Sequence, residues 1–209
     1  MKLYSTVFEE ATAEQIIEKS RFITYVKPVE SREEADEFIA SIKKKHKDAT
    51  HNVPAMVIGD KFQIQWASDD GEPQGTSGAP IVQMLVKEGI TNIAVVVTRY
   101  FGGIKLGTGG LVRAYTSSAK LGLEAAGICD INEMTVLEYA VDYTHLAKIQ
   151  NLAAGGDFDI EGIEYTDVVT LSISCMPETT DDVLSILTNV TAGKGILKSQ
   201  DISLVKKLV

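Results

Sequence analysis

Reactive side chains are scarce in this chain. Its 209 residues include two cysteines, three histidines, one tryptophan and five prolines. Cys129 and Cys175 stand 46 positions apart, a separation that fits neither a zinc motif nor a C-x-x-C redox pair, so buried reduced thiols are expected. No apolar run approaches the length of about 18 residues that a membrane helix needs, and no membrane partner is expected. The opening stretch MKLYSTVFEEATAEQ lacks the apolar segment of a signal peptide, so the chain reads as cytoplasmic. Internal repeats, low-complexity tracts and proline-rich linkers are missing too.

Positive charge is also in short supply. Lys and Arg number 20 against 29 Asp and Glu, a formal charge of −9. The deficit is uneven: residues 1–132 hold 15 basic and 17 acidic residues, whereas residues 133–209 hold 5 and 12. The acidic C-terminal part is a poor general binder of phosphate backbones. DNA is not expected as a partner, and any anion should bind at a local site in the first part. Apolar residues make up 44 % and charged residues 23 %, ordinary values for a globular chain of one or two domains. The turn around Gly127 and Asp130, where the charge balance shifts, marks the expected boundary between residues 1–130 and 131–209.

In the first part, QIIEKSRFITYVKPV reads as one strand centred on Phe22 and Ile23. Ser31 and Glu34 form a capping-box pattern before a helix with Ala35, Phe38, Ile39 and Ile42 at helical spacing. Lys43, Lys44, Lys45 and Lys47 close that helix and are expected to be a solvated end suited to its dipole. VPAMVI and FQIQWA, joined by GDK, read as a hairpin in which Phe62, Ile64 and Trp66 share one face. A short helix follows, with Ser77 as its expected cap and Gly89 as its stop. NIAVVVT reads as a central strand ending at Arg99. A helix from Thr108 to Ala126 should bury Leu111, Val112, Tyr115, Ala119, Gly122 and Leu123. The second part reads strand, helix capped by Thr144, hairpin around Thr166 and Asp167, helix from Thr179 or Thr180, and a strand over roughly Ile196–Leu204. That order, β-α-β-β-α-β, is ferredoxin-like. The fold class is therefore α+β. His145 beside the expected cap reads as a surface or capping residue.

Two clusters can carry chemistry, both in the first part. ASDDGEPQGTSG places Asp69, Asp70 and Glu72 within four residues. Such a set could hold a hard cation, although it lacks the ligand alternation of a calcium loop; the alternative is a turn whose carboxylates bond backbone amides. His51 is an acid–base candidate should it lie near Asp69 or Asp70. The second cluster is RYFGGIKLGTGG, residues 99–110, with five glycines in twelve residues. Gly102, Gly103, Gly107, Gly109 and Gly110 would bring backbone amides and a helix start at Thr108 toward an anion, with Arg99, Tyr100, Lys105 and Arg113 beside them. The spacing matches neither a Walker loop nor G-x-G-x-x-G, and tight strand–helix packing is the competing explanation for the glycines. No serine or cysteine sits in a nucleophile setting, and no cofactor is named by any motif.

FQIQWASDDGEPQGTSGAPIVQML followed by GITNIAVVVTRYFGGIKLGTGGLVRAY resembles the YigZ/IMPACT family. The C-terminal part resembles the second domain of its bacterial members. The resemblance implies an N-terminal domain like the second domain of ribosomal protein S5 and a C-terminal domain like a ferredoxin-like domain of elongation factor G. Eukaryotic members regulate translation, using an extra N-terminal domain for which this sequence shows no counterpart. One stretch departs from the family: the Cys and aromatics usual after the His-Asn pair are replaced by Val53, Pro54, Ala55 and Met56, which would remove a thiol and base stacking at that edge. The resemblance implies a translation-associated binding protein that contacts RNA, the ribosome or a translation-control protein through an anion-binding face. The alternative is a small-molecule enzyme acting on a phosphorylated or nucleotide substrate.

Overall fold

The computed structural model describes all residues 1–209 as two compact units. The N-terminal unit comprises Tyr4–Asp130 with Lys206–Val209; the C-terminal unit comprises Ile131–Val205 with Met1–Leu3.

The chain opens with β1 (Lys2–Val7), β2 (Ala11–Ile17) and β3 (Ser20–Pro28). The stretch read as one strand is therefore a hairpin, β2 paired antiparallel with β3. Glu18 and Lys19 turn it with φ of 46° and 64°, the doubly positive backbone that matches the twist of a two-residue hairpin. Helix α1 (Arg32–Lys45) is capped by Ser31, whose hydroxyl accepts from the Glu34 amide at 3.2 Å. The Glu34 carboxylate accepts from the Glu30 amide, one residue earlier than in a standard capping box. Then come β4 (His51–Ile58), β5 (Ile64–Ala67), α2 (Gly78–Lys87), β6 (Ile93–Tyr100) and α3 (Gly107–Ala126).

Strands β2 to β6 form one sheet in the order β2-β3-β6-β4-β5, antiparallel throughout, with β6 at its centre as its apolar run predicts; β1 belongs to the other sheet, beside the strand that follows α3. Alternation along β6 divides two cores. Ile93, Val95 and Val97 face α2 and α3, packing with Leu85, Leu111, Tyr115 and Leu123. Ala94 and Val96 face α1, packing with Phe38, Ile39 and Met56. Val112, expected on the buried face of α3, is only half-buried; Ala114 and Ser118 take that place. The lysine run closing α1 is not purely solvated: Lys43 pairs with Asp70 at 2.8 Å and Lys45 lies over the Tyr25 ring.

The C-terminal unit runs β7 (Ile128–Val141), α4 (Tyr143–Ala153), β8 (Asp159–Tyr165), β9 (Val169–Cys175), α5 (Thr180–Val190) and β10 (Ile196–Leu208). Its neighbours β10-β7-β9-β8 give the ferredoxin-like strand order. One face buries Leu137, Tyr139, Leu171 and Ile173 against Ile149 of α4 and Val183 and Leu187 of α5. Asp142, not Thr144, caps α4: its carboxylate accepts from the Thr144 amide and hydroxyl at 2.9 and 2.7 Å. Cys129 and Cys175 are both buried and unpaired, and burial raises both thiol pKa values. No helix is long and apolar enough to cross a membrane.

Candidate anion-binding site

Strand register places the first residues of the site. Arg99 on β6 stands opposite Phe22 of β3 on one side and His51 of β4 on the other. All three share the parity of Val97 and Val53 and so point toward α3. The same alternation sends Tyr100 to the opposite face, where its hydroxyl meets His46 Nδ1 at 2.9 Å. Tyr100, expected beside the glycine loop, therefore belongs to the α1 side of the sheet.

Arg99 is 4 % exposed. Its Nη1 donates to Glu72 Oε1 at 2.7 Å and its Nη2 to the Ser20 hydroxyl at 3.1 Å. Tyr115, on the buried face of α3, donates to the same Glu72 oxygen at 2.7 Å. Burial foremost, and then that hydrogen bond, push the Tyr115 pKa far above the ordinary tyrosine range, so the phenol stays a donor. His51 brings Nε2 to 3.7 Å from Glu72 Oε1. Its Nδ1 lies 2.8 Å from the Asp70 carbonyl, an acceptor, so Nδ1 carries the proton and donates. In the neutral tautomer that makes this bond, the lone pair is on Nε2.

The three carboxylates of the SDDGEP loop do not converge. Asp69 accepts from the amides of Gly75, Ser77 and Gly78 and from the Ser77 hydroxyl. It is the true cap of α2, and Ser77, the expected cap, makes no side-chain bond to the helix amides. Burial would raise the Asp69 pKa, but the hydrogen bonds from Ser77, Gly75 and Gly78 outweigh it and hold the pKa below the usual value. Asp70 takes the Asn52 amide at 2.6 Å and the Lys43 ion pair. Glu72 faces Arg99. No group of three or more acidic, His or Cys side chains forms a cage for a metal, so the joint cation site considered for Asp69, Asp70 and Glu72 is not assembled. His51 meets Asp70 through its backbone only and approaches Glu72 instead.

The two motifs meet at a cleft of about 420 Å³. Its lining comprises Thr50, His51, Glu72 and Pro73 together with Arg99, Phe101, residues 105–108 and Leu111. Helix α3 starts at Gly107 in this lining, with no side-chain cap and no acidic residue in its first turn, so its free amides and dipole favour an anion. Lys105, Thr108 and Gly109 are exposed. Gly107 has φ +69° and open space where a Cβ would stand. Gly102 does something else: a Cβ there would come within 2.0 Å of the Lys19 carbonyl, and its amide donates to Ser20. It packs the loop against the β2–β3 turn. Gly103 faces open space outside the cleft lining. Gly110 and Arg113 line a different groove.

Phe101, 46 % exposed, lies over the Arg99 guanidinium at 5.3 Å and gives the cleft an aromatic wall. It lies in the RYFGG stretch that carries the family resemblance, but it is not among the residues expected at the anion site. The departure at Val53–Met56 falls within β4, where Val53, Ala55 and Met56 are fully buried in the two cores, and not at the cleft edge.

The model of the Impact N-terminal domain matches residues 18–123, which span the whole cleft. The chain belongs to the IMPACT family. A second model, Domain of unknown function (DUF1949), matches residues 140–194. The IMPACT family member YvyE of Bacillus subtilis is 42 % identical over 206 residues, covering 99 % of this chain and 95 % of YvyE. The IMPACT family member YigZ of Escherichia coli is 37 % identical over 171 residues, 81 % of each chain. A crystal structure described as that of a hypothetical protein aligns with a TM-score of 0.59 at 32 % identity, covering 94 % of this chain and 97 % of that one.

Proposed function

We propose that this IMPACT family protein is a translation-associated binding and regulatory protein that takes a phosphate-bearing ligand in the cleft between the SDDGEP loop and the glycine loop. The observation that carries the reading is the cleft itself, which gathers Glu72, Pro73, Arg99, Phe101, Lys105 and the uncapped start of α3 into one surface. Arg99 neutralises Glu72, which leaves Lys105 and the helix amides as the attractive charge. Membership of a family whose eukaryotic members control translation supports the setting, and RNA, the ribosome or a translation-control protein is the partner class. The test is co-sedimentation with ribosomes at low and moderate salt, wild type beside Lys105→Gln. Association that weakens with salt and is reduced in the variant is expected. Absence of ribosome association together with absence of phosphate or mononucleotide binding by the wild type would end the reading.

One observation favours a second reading, turnover of a phosphorylated or nucleotide substrate. The Asp70 carbonyl fixes the His51 tautomer and leaves Nε2 as a base on the cleft wall. His51→Gln should then abolish turnover of any phosphoester the wild type hydrolyses, with the fold unchanged. Hydrolysis that persists in His51→Gln would remove that role.

A further inference from the structure

A second groove, of about 440 Å³, flanks the same glycine stretch; Ile17, Glu18, Ile104, Arg113 and Ser117 are among its lining residues. Lys105 and Leu106 line both this groove and the cleft, so the two hollows adjoin across them. Lys105 and Arg113 are exposed and neither has an ion-pair partner. Arg113 Nη1 lies 3.6 Å from the position of a Cβ on Gly109, so the guanidinium folds back along the first turn of α3. A cation there sits at the positive end of the helix dipole, with no acidic residue in that turn to offset it. Glu18 is the one acid in the groove, against two cations. On the cleft side, Arg99 Nε is the only buried side-chain polar atom in the molecule without a hydrogen-bond partner, in a residue of the cleft wall. The half-exposed ring of Phe101 stands beside it.

We infer that the two hollows form one track for a single-stranded nucleic acid, RNA in the translation setting. One nucleotide places its base against Phe101 in the cleft and its phosphate at Lys105 and the start of α3; the next phosphate lies at Arg113. A duplex keeps its bases paired and offers mainly phosphates, so it cannot use an aromatic-walled cleft, whereas an unstacked base can. The inference rests on the cleft being an anion site and adds a second phosphate position to it.

The test is fluorescence anisotropy with a labelled oligouridylate of roughly eight nucleotides, within the usual footprint of a single-strand site, across a salt series, with uridine monophosphate as competitor. Arg113→Gln should weaken oligouridylate binding several-fold and reduce the salt slope by about 0.7, the value for one lost phosphate contact on a single strand. Its affinity for the monophosphate should not change, because that ligand fills the cleft alone. Lys105→Gln should weaken both. Circular dichroism checks that both variants fold. An oligouridylate that binds no tighter than the monophosphate, or an Arg113→Gln variant with unchanged affinity and slope, overturns the track and leaves the cleft standing. Failure of the wild type to bind either ligand removes the cleft reading as well. Equal binding of duplex RNA or of a polyglutamate peptide would reassign the surface to a general polyanion contact and overturn the inference.

Discussion

Arg99 and Glu72 show how differently a residue reads alone and in its pair. As isolated motif members, Arg99 is a cation for a ligand and Glu72 is a metal ligand. In the structure they hold each other at 2.7 Å, with side chains 5 % and 4 % exposed. Nothing in the order of residues says that positions 27 apart will meet; the turn of the SDDGEP loop and the register of β6 bring them together. The energetic consequence is asymmetric. A buried pair contributes little net stability against an apolar replacement, but removing one partner leaves the other charge uncompensated, at a cost of about 3–5 kcal/mol. Arg99→Met should therefore lower the unfolding free energy by that amount in urea titration, and Arg99→Met with Glu72→Leu should recover much of it. A single variant as stable as wild type would show that Arg99 is not tied to Glu72. Arg99 is for this reason a poor probe of ligand binding, and the exposed Lys105 a better one.

At the level of elements, what the sequence discloses depends on whether the signal is local. Helices α1 and α3 and the β4–β5 hairpin follow from apolar spacing, caps and turn residues that lie inside each segment, except that Phe62, expected to share a face with Ile64 and Trp66, lies in the turn with φ 57° and packs in the α2–α3 core while those two pack on the α1 side. The β2–β3 hairpin was hidden because Glu18 and Lys19 hold positive φ without the Gly, Asn or Asp that advertises such a turn. The cap of α2 was hidden because Asp69 reaches Gly78 from nine residues away. The cleft lay halfway between: both of its motifs stood out, but their meeting depended on sheet register. Two predictions belong here. Asp69→Ala should destabilise the fold by about 0.5–2 kcal/mol, the range for loss of a helix cap, as read in thermal melts. Gly102→Ala should also destabilise it, since its Cβ would meet the Lys19 carbonyl and the backbone must shift. It should lower the melting temperature more than Gly107→Ala, where the space is open and only the positive φ resists. The reverse order would mean that the loop is not pinned at Gly102.

For the whole molecule, pH sets two effects of opposite sign against each other. The chain carries −9 at neutral pH, and this self-repulsion relaxes as acid titrates the carboxylates, which favours the folded state. His46 acts the other way. It is 8 % exposed, between the hydroxyls of Tyr25 at Nε2 and Tyr100 at Nδ1. Burial first, and then the charge of Lys45, lower its pKa below the usual histidine value. Between that lowered value and about 6.5 the unfolded chain binds a proton that the native chain does not, so stability is full above about 6.5 and declines as pH falls through the native pKa. Asp69, with its lowered pKa, adds a second loss of the same sign at more acid pH, below about 4. Salt separates the opposing terms, because the diffuse repulsion is screened at about 0.5 M and a buried histidine is screened much less. Urea titrations at high salt should therefore show unfolding free energy falling from pH 7 toward pH 5 in the wild type. His46→Gln, which keeps a hydrogen-bonding side chain but cannot titrate, should be flat over the same interval. A wild type equally flat at high salt would mean that His46 takes up its proton without disturbing the two tyrosines, and that the α1 face of the sheet has no part in the acid response.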